Sequence, residues 1–382
     1  MNNNQVNHIA IIAGEASGDN FGAELIKELK AIYPNACFFG VGGEKMITEG
    51  LKTLFPIYKI AIMGFVEVVP KIFEILKLIK HTAQYILDAK PQLVITIDAP
   101  DFNFRVVNKC QKLRPQTKFV HVVAPSVWVY RPKRAVKISK VYDFLGCFLP
   151  FEPAFFTKHG LNAKFIGHPI TEYDYTCNKE EFSNHSNISL NDNIVLAMPG
   201  SRVTEIKKLW PIYLEVFKIL HTQLPELKIF VPIHKHLIEF IKSTYEYELP
   251  NVFLSSDANS KNCVLAHAKV ALVKSGTSSL EVAINKVPCV VVYKISKFSE
   301  ILFKLMSDLK FVSLVNIIAN KQIIPELLQN NCNAQNITAH LLEILKNNSQ
   351  VNETTPIISQ LYTEQRLSPS KFLTLEIKNL IN

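Results

Sequence analysis

Residues 9–31 read IAIIAGEASGDNFGAELIKELKA, and this stretch decides the fold class. The uninterrupted apolar run 9–13 predicts a buried strand, the glycines after it permit a tight turn, and the following pattern predicts a helix to about Ala31. Similar short apolar runs recur, separated by longer helical patterns, at 38–41, 93–97, 119–123 and 145–149. Because strands that alternate with helices are typical of βαβ units, we predict an α/β fold with a parallel sheet.

A polar, Asn-rich and Ser-rich segment at 176–193 interrupts this pattern, which then restarts. The strand-like runs of the second half are 194–198, 227–232, 252–254, 270–273 and 289–293. The chain therefore reads as two Rossmann-like halves. We predict an N-terminal domain over 1–175, a C-terminal domain over 176–355 and a helical tail over 356–382, whose placement the sequence leaves open.

Length and composition exclude several classes of protein. The chain has 382 residues, which favours two domains, and its 48% hydrophobic and 20% charged residues exclude disorder as the main state. It carries a net charge of +9, yet its longest uncharged stretches, such as 119–130, fall short of a bilayer crossing. Its first residues show neither the basic nor the apolar region of an export signal, so we expect a protein that is not exported.

The cysteines and the absent motifs narrow the chemistry further. The 7 cysteines are scattered without C-x-x-C spacing, which favours neither a disulfide framework nor a zinc site and predicts reduced thiols in a cytoplasm. No D-x-D or H-x-x-x-H spacing occurs, so we expect no metal, and no cofactor is indicated. A Walker A motif and a G-x-S-x-G elbow are also absent, which argues against nucleotide hydrolysis and serine hydrolase chemistry.

Two loops of the first half follow strands directly, where ligands bind in open α/β sheets. The loop 14–19, GEASGD, combines a tight turn with a helix N-terminus, although a helix cap by Ser17 or Asp19 explains it equally well. The loop 98–103, DAPDFN, holds Asp98 closest to the strand end. A carboxylate there can take a proton from a hydroxyl or hold a sugar, and an Asx-turn or helix cap is the alternative.

A third segment of the first half, 121–140, leads from a strand end past Trp128 into a basic stretch. Its five cations are Arg131, Lys133, Arg134, Lys137 and Lys140. They suit a phosphate or an anionic surface, while a solvated helix face is the plain alternative. His121 at its start is more typical of a packed core residue.

The second half contains two loops of the kind that bind phosphate. The segment 198–206, MPGSRVTEI, brings backbone N–H groups, a hydroxyl and a guanidinium to one helix start, or is capped simply by Thr204. The segment 274–281, KSGTSSLE, opens a helix with a glycine between hydroxyl residues, a turn that can hold phosphate oxygens. An ordinary N-terminal cap of the helix is the alternative. Glu281 lies one turn inside this helix, where a carboxylate can accept hydrogen bonds from both hydroxyls of a ribose. Two such loops in one half favour a nucleoside diphosphate.

The segment 65–83, FVEVVPKIFEILKLIKHTA, predicts a helix with an unusually wide apolar face. Its apolar residues cover an arc of about 180°, whereas a helix on a globular core needs little more than about 100°. Contact with lipid or an acyl chain accounts for the excess, and the flanking lysines suit an anionic leaflet. The alternative is a helix buried deeply between the sheet and its neighbours.

Taken together, seven motifs resemble those of the lipid-A-disaccharide synthase family, in the same order along the chain. They are AGEASGD at 13–19, IDAPDFN at 97–103, VAPSVWVYRPKR at 123–134, PFEP at 150–153, GHP at 167–169, PGSR at 199–202 and KSGTSSLE at 274–281. The resemblance implies a GT-B glycosyltransferase: two Rossmann-like, doubly wound domains facing a central cleft. It further implies metal-independent, inverting transfer from UDP-2,3-diacylglucosamine to 2,3-diacylglucosamine 1-phosphate (lipid X), which yields a β-1,6 disaccharide and UDP.

The resemblance and the loop chemistry together assign roles to residues. Asp98 is expected to be the base that deprotonates the acceptor hydroxyl, with Asp101 as the alternative, and Arg202 is expected to stabilise the departing UDP. The expected nucleotide-binding residues are Gly200, Ser201, Arg202, Ser275, Gly276, Thr277, Ser278, Glu281 and Asn316, the last in a segment that has Asn320 where the family usually has a glycine. The expected acceptor-binding residues are Glu15, Ser17, Asp101 and Asn103. The expected membrane or acyl contacts are Phe65, Val66, Val69, Phe73 and Leu76.

These assignments imply the partners and leave two rival functions. The expected partners are the two acylated sugars and the anionic surface of the inner membrane, on whose cytoplasmic side the protein would be peripheral, and the family suggests a homodimer. Nucleic acid is not expected, because the charge is spread out and no reader motif occurs. The rivals are another GT-B UDP-sugar transferase or epimerase, and a non-catalytic basic scaffold on a membrane surface.

Overall fold

The computed structural model describes residues 6–381 except 61–71, 130, 186–187, 246–250, 297–299, 301–308 and 348. The chain divides into two compact units. The first holds the described residues up to Thr171 together with those from Leu361 onward, and the second is Glu172–Gln360. The second unit thus begins four residues before the predicted boundary at 175/176, and the last segment of the chain belongs to the first unit.

Among its described residues, the first unit has a parallel sheet of seven strands in the order β3-β2-β1-β4-β5-β6-β7. The strands are β1 His8–Ala13, β2 Cys37–Val41, β3 Lys52–Thr53, β4 Leu93–Ile97, β5 Lys118–Val122, β6 Phe144–Cys147 and β7 Asn162–Phe165. Its helices, in chain order, are α1 Ala16–Ile32, α2 Glu44–Thr48, α3 Ile72–Ala89, α4 Pro100–Cys110, α5 Arg134–Ser139 and α6 Ala154–Thr157. The order starting from β3 is that of a doubly wound Rossmann sheet.

Both faces of this sheet are buried, which explains why its strands read as continuous apolar runs. Along β1, Ile9 and Ile11 belong to one hydrophobic core, and Ala10 and Ile12 belong to another. Successive side chains of a strand point to opposite faces, so the two cores lie on the two sides of the sheet. All four side chains are fully buried.

The second unit is built on a parallel sheet in the order β10-β9-β8-β11-β12-β13. The strands are β8 Ile194–Met198, β9 Lys228–Pro232, β10 Val252–Ser255, β11 Val270–Lys274, β12 Cys289–Tyr293 and β13 Glu326–Leu328. The helices are α7 Lys179–His185, α8 Val203–Gln223, α9 Lys235–Thr244, α10 Ala258–His267, α11 Ser278–Ile284, α12 Leu314–Ala319, α13 Ala334–Lys346 and α14 Gln350–Ser359. Its core packs Trp210, Tyr213 and Phe217 of α8 beside the strands.

The last helix, α15 Pro369–Ile381, packs on the first unit although it follows the second in sequence. Its buried residues Leu373 and Ile377 join the core that contains Phe21 and Leu25 of α1. Burying such side chains stabilises the unit by about 1.5–3 kcal/mol each. Among the helices that the structure describes, none combines the length and the apolar character that crossing a membrane demands.

One sequence prediction is wrong at a pair of cysteines. Cys177 and Cys263 form a disulfide, with their Cα atoms 4.6 Å apart, so not all thiols are reduced. The two residues are 86 positions apart, and only the fold brings the segment before α7 against α10. Asn259 and Asn262, on the same helix as Cys263, also hold this segment through hydrogen bonds to the backbone of residues 174–178.

Candidate active site

A cavity of about 220 Å³ opens at the carboxyl ends of β4 and β5 in the first unit. It is lined by Asp98, Pro100, Val123, Ala124, Pro125, Ser126, Val127 and Arg134. Ile97 and Val122 are partners in the parallel register, so the residues after them, Asp98 and Val123, lie side by side. The structure therefore places Asp98 in a cavity at a strand end, which is where ligands bind in this architecture.

The backbone around Asp98 is strained. Asp98, Ala99 and Val123 adopt left-handed conformations, with φ of 54°, 40° and 74°. Such conformations cost on the order of 1–3 kcal/mol each and concentrate at functional sites, and a β-branched valine is an outlier there. Gly14 packs directly on this turn, because a Cβ at position 14 would lie 2.1 Å from the Cβ of Ala99. The glycine after β1 is thus required by the turn after β4.

Hydrogen bonds hold the strained turn in place. The buried Asn103 donates from Nδ2 to the carbonyl oxygen of Asp98 at 2.6 Å. The backbone N–H of Asp98 donates to Val122 at 3.0 Å, and that of Val123 donates to Gly146 at 3.1 Å. Asn103 was predicted to bind acceptor, but the structure places its amide against the backbone of Asp98 and not among the residues that line the cavity.

The environment of Asp98 suits a proton acceptor. Burial raises the pKa of its carboxyl above the ordinary value, and the N–H of Ala99, which donates to Oδ1 at 2.7 Å, works in the opposite direction. Desolvation without a cationic partner makes a carboxylate more basic. A base with a raised pKa is better matched to abstracting a hydroxyl proton.

Arg134 is the cation of the basic segment that turns toward this cavity. Its Nη2 lies 2.7 Å from Oδ1 of Asp101, and its side chain is only 15% exposed, whereas that of Asp101 is 73% exposed. Asp101, predicted as an acceptor ligand, thus pairs with Arg134 at the cavity rim. Lys133, Lys137 and Lys140 are exposed, as a surface-binding segment requires.

The loop after β1 does not join the cavity lined by Asp98. Glu15 is the N-terminal flanking residue of α1 and makes no capping hydrogen bond with its side chain, and Ser17 is exposed on the first turn. Neither of these predicted acceptor ligands lines the cavity. The buried Asp19 instead accepts hydrogen bonds from the backbone of Gly43, Lys45 and Met46, so it anchors the next strand-end loop.

A larger cavity, of about 490 Å³, lies at the carboxyl ends of the strands in the second unit. The predicted nucleotide residues that line it are Gly200, Ser201, Arg202, Ser275, Gly276, Thr277, Ser278 and Glu281. Further lining residues that the sequence analysis did not assign are His234, Ser255, Ser256, Asp257, Lys261, Lys274 and Glu205. The fold therefore brings the two glycine turns together in one cavity.

Glu205 links the first of these turns to the second. Its Oε2 accepts a hydrogen bond from the backbone N–H of Ser201 at 3.0 Å, and its Oε1 lies 2.9 Å from Nζ of Lys274. Nη1 of Arg202 lies 3.5 Å from the same Oε1. The carboxylate thus gathers a backbone donor and two cations at one end of the cavity.

The second turn is organised by Ser275 and closed by an ion pair. Ser275 Oγ donates to the carbonyl oxygen of Val312 at 2.7 Å. Gly276 has a φ of 150°, which L side chains rarely adopt. Glu281 pairs with Lys261 of α10, and both side chains line the cavity. The Glu281 carboxylate is thus fixed at the wall of the cavity by its pairing with Lys261.

Asn316, a predicted nucleotide ligand, is not at the cavity. It is fully buried, its Nδ2 donates to Ile324 and Glu326, and its Oδ1 accepts from the N–H groups of Ile323 and Ile324. These bonds use the whole capacity of an amide side chain. Asn320 ends the same helix in a left-handed conformation, with φ of 51°. Asparagine tolerates this conformation better than most residues, so it can replace the glycine that usually ends a helix in this way.

The predicted apolar helix is partly described. Phe65, Val66 and Val69 lie outside the described residues, while Phe73 and Leu76 are on α3. Phe73 is 77% exposed and Leu76 is 43% exposed, whereas Ile79 and Ile86 of the same helix are buried. Over the described part, the apolar face is therefore wider than the core covers.

The chain is similar in sequence to a known family over nearly its whole length. A family model described as lipid-A-disaccharide synthetase matches residues 9–374. The lipid-A-disaccharide synthase of Rickettsia akari (strain Hartford) is 39% identical over 374 residues, which cover 97% of this chain and 95% of that protein. That of Rickettsia prowazekii (strain Madrid E) is 38% identical over 379 residues, covering 97% and 98%.

Solved structures of low sequence identity share the fold. UDP-GlcNAc 2-epimerase from Neisseria meningitidis, bound to UDP-GlcNAc, matches with a TM-score of 0.65 at 13% identity and covers 98% of this chain and 100% of that one. MurG from Acinetobacter baumannii matches with a TM-score of 0.56 at 14% identity, covering 98% and 99%. At such identities the likeness establishes the fold alone, and it confirms the predicted GT-B class.

Proposed function

The chain belongs to the lipid-A-disaccharide synthase family and is a glycosyltransferase with the GT-B fold, and we propose that it joins UDP-2,3-diacylglucosamine to 2,3-diacylglucosamine 1-phosphate. The products are the β-1,6 disaccharide 1-phosphate and UDP. The observation that carries the assignment of roles is the pair of strand-end cavities, one holding a base and the other holding cations beside two glycine turns.

The cavity of the second unit binds the UDP part of the donor. The Gly200–Ser201 and Ser275–Gly276 turns offer backbone N–H groups to diphosphate oxygens, and Thr277 and Ser278 add hydroxyls at the start of α11. Glu281 accepts hydrogen bonds from the two ribose hydroxyls, one at each carboxylate oxygen. Arg202, at the N-terminal end of α8, carries positive charge to the position where the leaving group gains negative charge.

Asp98 acts as the base of an inverting displacement. It takes the proton of the acceptor 6-hydroxyl as that oxygen bonds to the anomeric carbon of the donor, and the bond to the diphosphate breaks with its electron pair leaving on UDP. The burial that raises the pKa of Asp98 makes it more basic, and the buried Asn103 holds its backbone. Solvent then takes the proton from Asp98, and UDP dissociates as an anion that keeps the electron pair of the broken bond.

Replacement of Asp98 and Arg202 tests these roles. Incubation of the purified protein with both acylated substrates should give a product with the mass of the disaccharide 1-phosphate. Asp98→Asn should lower kcat by roughly 10²–10⁴-fold with UDP affinity unchanged, since only the base is lost. Arg202→Ala should weaken UDP binding as well. Wild-type turnover by either variant would refute its assigned role, and conversion of UDP-GlcNAc to an epimer in place of a disaccharide would favour the epimerase rival.

The exposed apolar residues of α3 bind the membrane that presents the acylated substrates. Phe73 and Leu76 lie one turn apart and protrude together, with exposed Lys77 and Lys80 beside them. Apolar residues flanked by lysines suit an anionic interface, so the protein would be peripheral on the cytoplasmic side of the inner membrane. From the sequence, Phe65, Val66 and Val69 are predicted membrane contacts as well.

Flotation with vesicles of phosphatidylethanolamine and phosphatidylglycerol tests this surface. The double variant Phe73→Ser and Leu76→Ser should lose most of its vesicle binding while its UDP affinity stays the same. Leu375→Ser is the matched control, because Leu375 is 41% exposed but lies on α15. Equal flotation of the double variant and the wild type would rule out α3 as the membrane contact.

A further inference from the structure

We propose that Lys274 is a second cation that binds the diphosphate of the donor, and that Glu205 is a positioning residue that holds Lys274, Arg202 and the Gly200–Ser201 turn in one arrangement. The inference rests on the proposed function, because it takes the cavity of the second unit to be the UDP site. It adds Lys274 and Glu205 to the UDP site, and the sequence motifs assigned no role to either residue.

Lys274 is held at the wall of the cavity. It is the last residue of β11, directly before the Ser275–Gly276 turn, and its side chain is 21% exposed and lines the cavity. Nζ lies 5.5 Å from the ring centroid of Tyr293, at the end of the adjacent β12. A lysine that rises from a rigid strand end and rests on an aromatic ring is more restricted than a surface lysine.

Glu205 contacts three groups around the cavity. One carboxylate reaches Lys274 from β11 and both Ser201 and Arg202 from the loop before α8. Burial raises the pKa of Glu205, but the hydrogen bond and charge of Lys274, with the Ser201 N–H and Arg202, outweigh it and the pKa is lowered overall. Glu205 is thus held as a carboxylate between two cations.

Gly200 shows that this arrangement is built into the turn. A Cβ at position 200 would lie 2.4 Å from Oε2 of Glu205, and its φ of 119° is one that L side chains rarely adopt. Only glycine lets the carboxylate approach the turn so closely. The glycine of the PGSR motif therefore makes room for Glu205 in addition to any ligand.

The charges explain what the arrangement does. Glu205 neutralises one unit of the two positive charges beside it, so this end of the cavity stays positive toward an incoming diphosphate. An ammonium carries three donors, and Glu205 engages one of them. As the bond from the anomeric carbon to the diphosphate breaks, the electron pair goes to a phosphate oxygen, and Lys274 and Arg202 stabilise it there without proton transfer.

Calorimetric titration with UDP and with uridine separates diphosphate binding from binding of the nucleoside. Lys274→Met should weaken UDP binding by roughly 10–100-fold and leave uridine binding unchanged, and Lys274→Arg should restore most of the loss. Lys218→Met is the matched control, because Lys218 is an exposed lysine far along α8 and should bind UDP like the wild type.

Glu205→Gln tests positioning by the direction of its effect. Removing a negative charge from the cavity would tighten UDP binding if charge alone mattered, whereas loss of positioning should weaken it by roughly 10-fold. Lys274→Met with wild-type UDP affinity, or an equal loss for uridine, would overturn the role of Lys274, and tighter UDP binding by Glu205→Gln would overturn that of Glu205. Absence of UDP binding by the wild type would instead refute the proposed function itself.

Discussion

Asn103 Nδ2 donates a hydrogen bond of 2.6 Å to the carbonyl oxygen of Asp98, and Asn103 has no exposed surface. The amide therefore holds the backbone of the proposed base in a left-handed conformation, with φ of 54°. Such a conformation persists only where the surroundings over-determine it. The relationship makes Asn103 a support of the turn that carries Asp98.

Asn103→Ala should lower kcat by roughly 10–100-fold while UDP affinity is unchanged, because the carboxylate of Asp98 would no longer be held in the reacting position. Steady-state kinetics and UDP calorimetry measure the two effects. Asn108→Ala is the control, since Asn108 is exposed on the same helix. A wild-type kcat for Asn103→Ala would show that the turn keeps its geometry without the amide.

The pH dependence of kcat should show the raised pKa of Asp98. A base works only when deprotonated, so kcat should fall as the pH drops through the pKa of Asp98. Since burial raises that pKa, the fall should come at a higher pH than for an ordinary aspartate. The small residual rate of Asp98→Asn should lack this acid limb. An identical limb in the variant would assign it to another group.

Glu152 should make the stability of the first unit depend on pH. Burial raises the pKa of this carboxyl to about 7 from an ordinary 4.5, against hydrogen bonds from the N–H groups of Leu149 and Phe148 and from Trp128. Because the folded state keeps its proton longer than the unfolded chain, the contribution of Glu152 is full below about pH 4.5 and is lost as the pH rises through 7.

Relative to Glu152→Gln, the wild type should therefore lose on the order of 3 kcal/mol of stability between pH 4.5 and pH 8. Denaturant unfolding of both proteins over this range measures the difference. The exposed Glu364→Gln serves as control and should follow the wild type at every pH. Parallel curves for Glu152→Gln and the wild type would contradict the raised pKa.

The disulfide between Cys177 and Cys263 should make the second unit sensitive to reductant. Closing an 86-residue separation is expected to stabilise by about 4 kcal/mol, so dithiothreitol should lower Tm of the wild type by several degrees. The double variant Cys177→Ser and Cys263→Ser lacks the disulfide, so its Tm should be below that of the oxidised wild type and should not change when reductant is added. Cys37→Ser, at an exposed free thiol, should keep the response of the wild type. If dithiothreitol left the Tm of the wild type unchanged, that result would contradict the disulfide.

Much of the fold was predictable because it follows from local patterns. Apolar runs of three to six residues, each followed by a helical pattern, indicated buried parallel strands, and the structure has strands at those positions. The family and the GT-B class were also predicted, from motifs at the strand ends. The roles of the individual site residues stay predictions, although eight of the nine expected nucleotide residues line one cavity.

What the sequence could not indicate depends on contacts between distant segments. Glu205 and Lys274 are 69 positions apart by their numbers and meet only because β8 and β11 are neighbours in the sheet. Cys177 and Cys263 carry no spacing signal, and the amide of Asn316 is used up by a loop that periodicity does not reveal. For Lys274 the sequence did offer one indication of a role in binding phosphate, because this cation directly precedes the Ser275–Gly276 turn.

The sequence by itself determined the class of the molecule: apolar periodicity fixes where strands and helices form, and glycines mark the turns where ligands approach. Only the tertiary structure decided how those turns are held. Gly14 is needed because Ala99 packs on it, Gly200 because Glu205 does, and α15 returns to the first unit because Leu373 and Ile377 complete its core. Local patterns depend on neighbours in sequence, whereas close approach and charge pairing depend on neighbours in space.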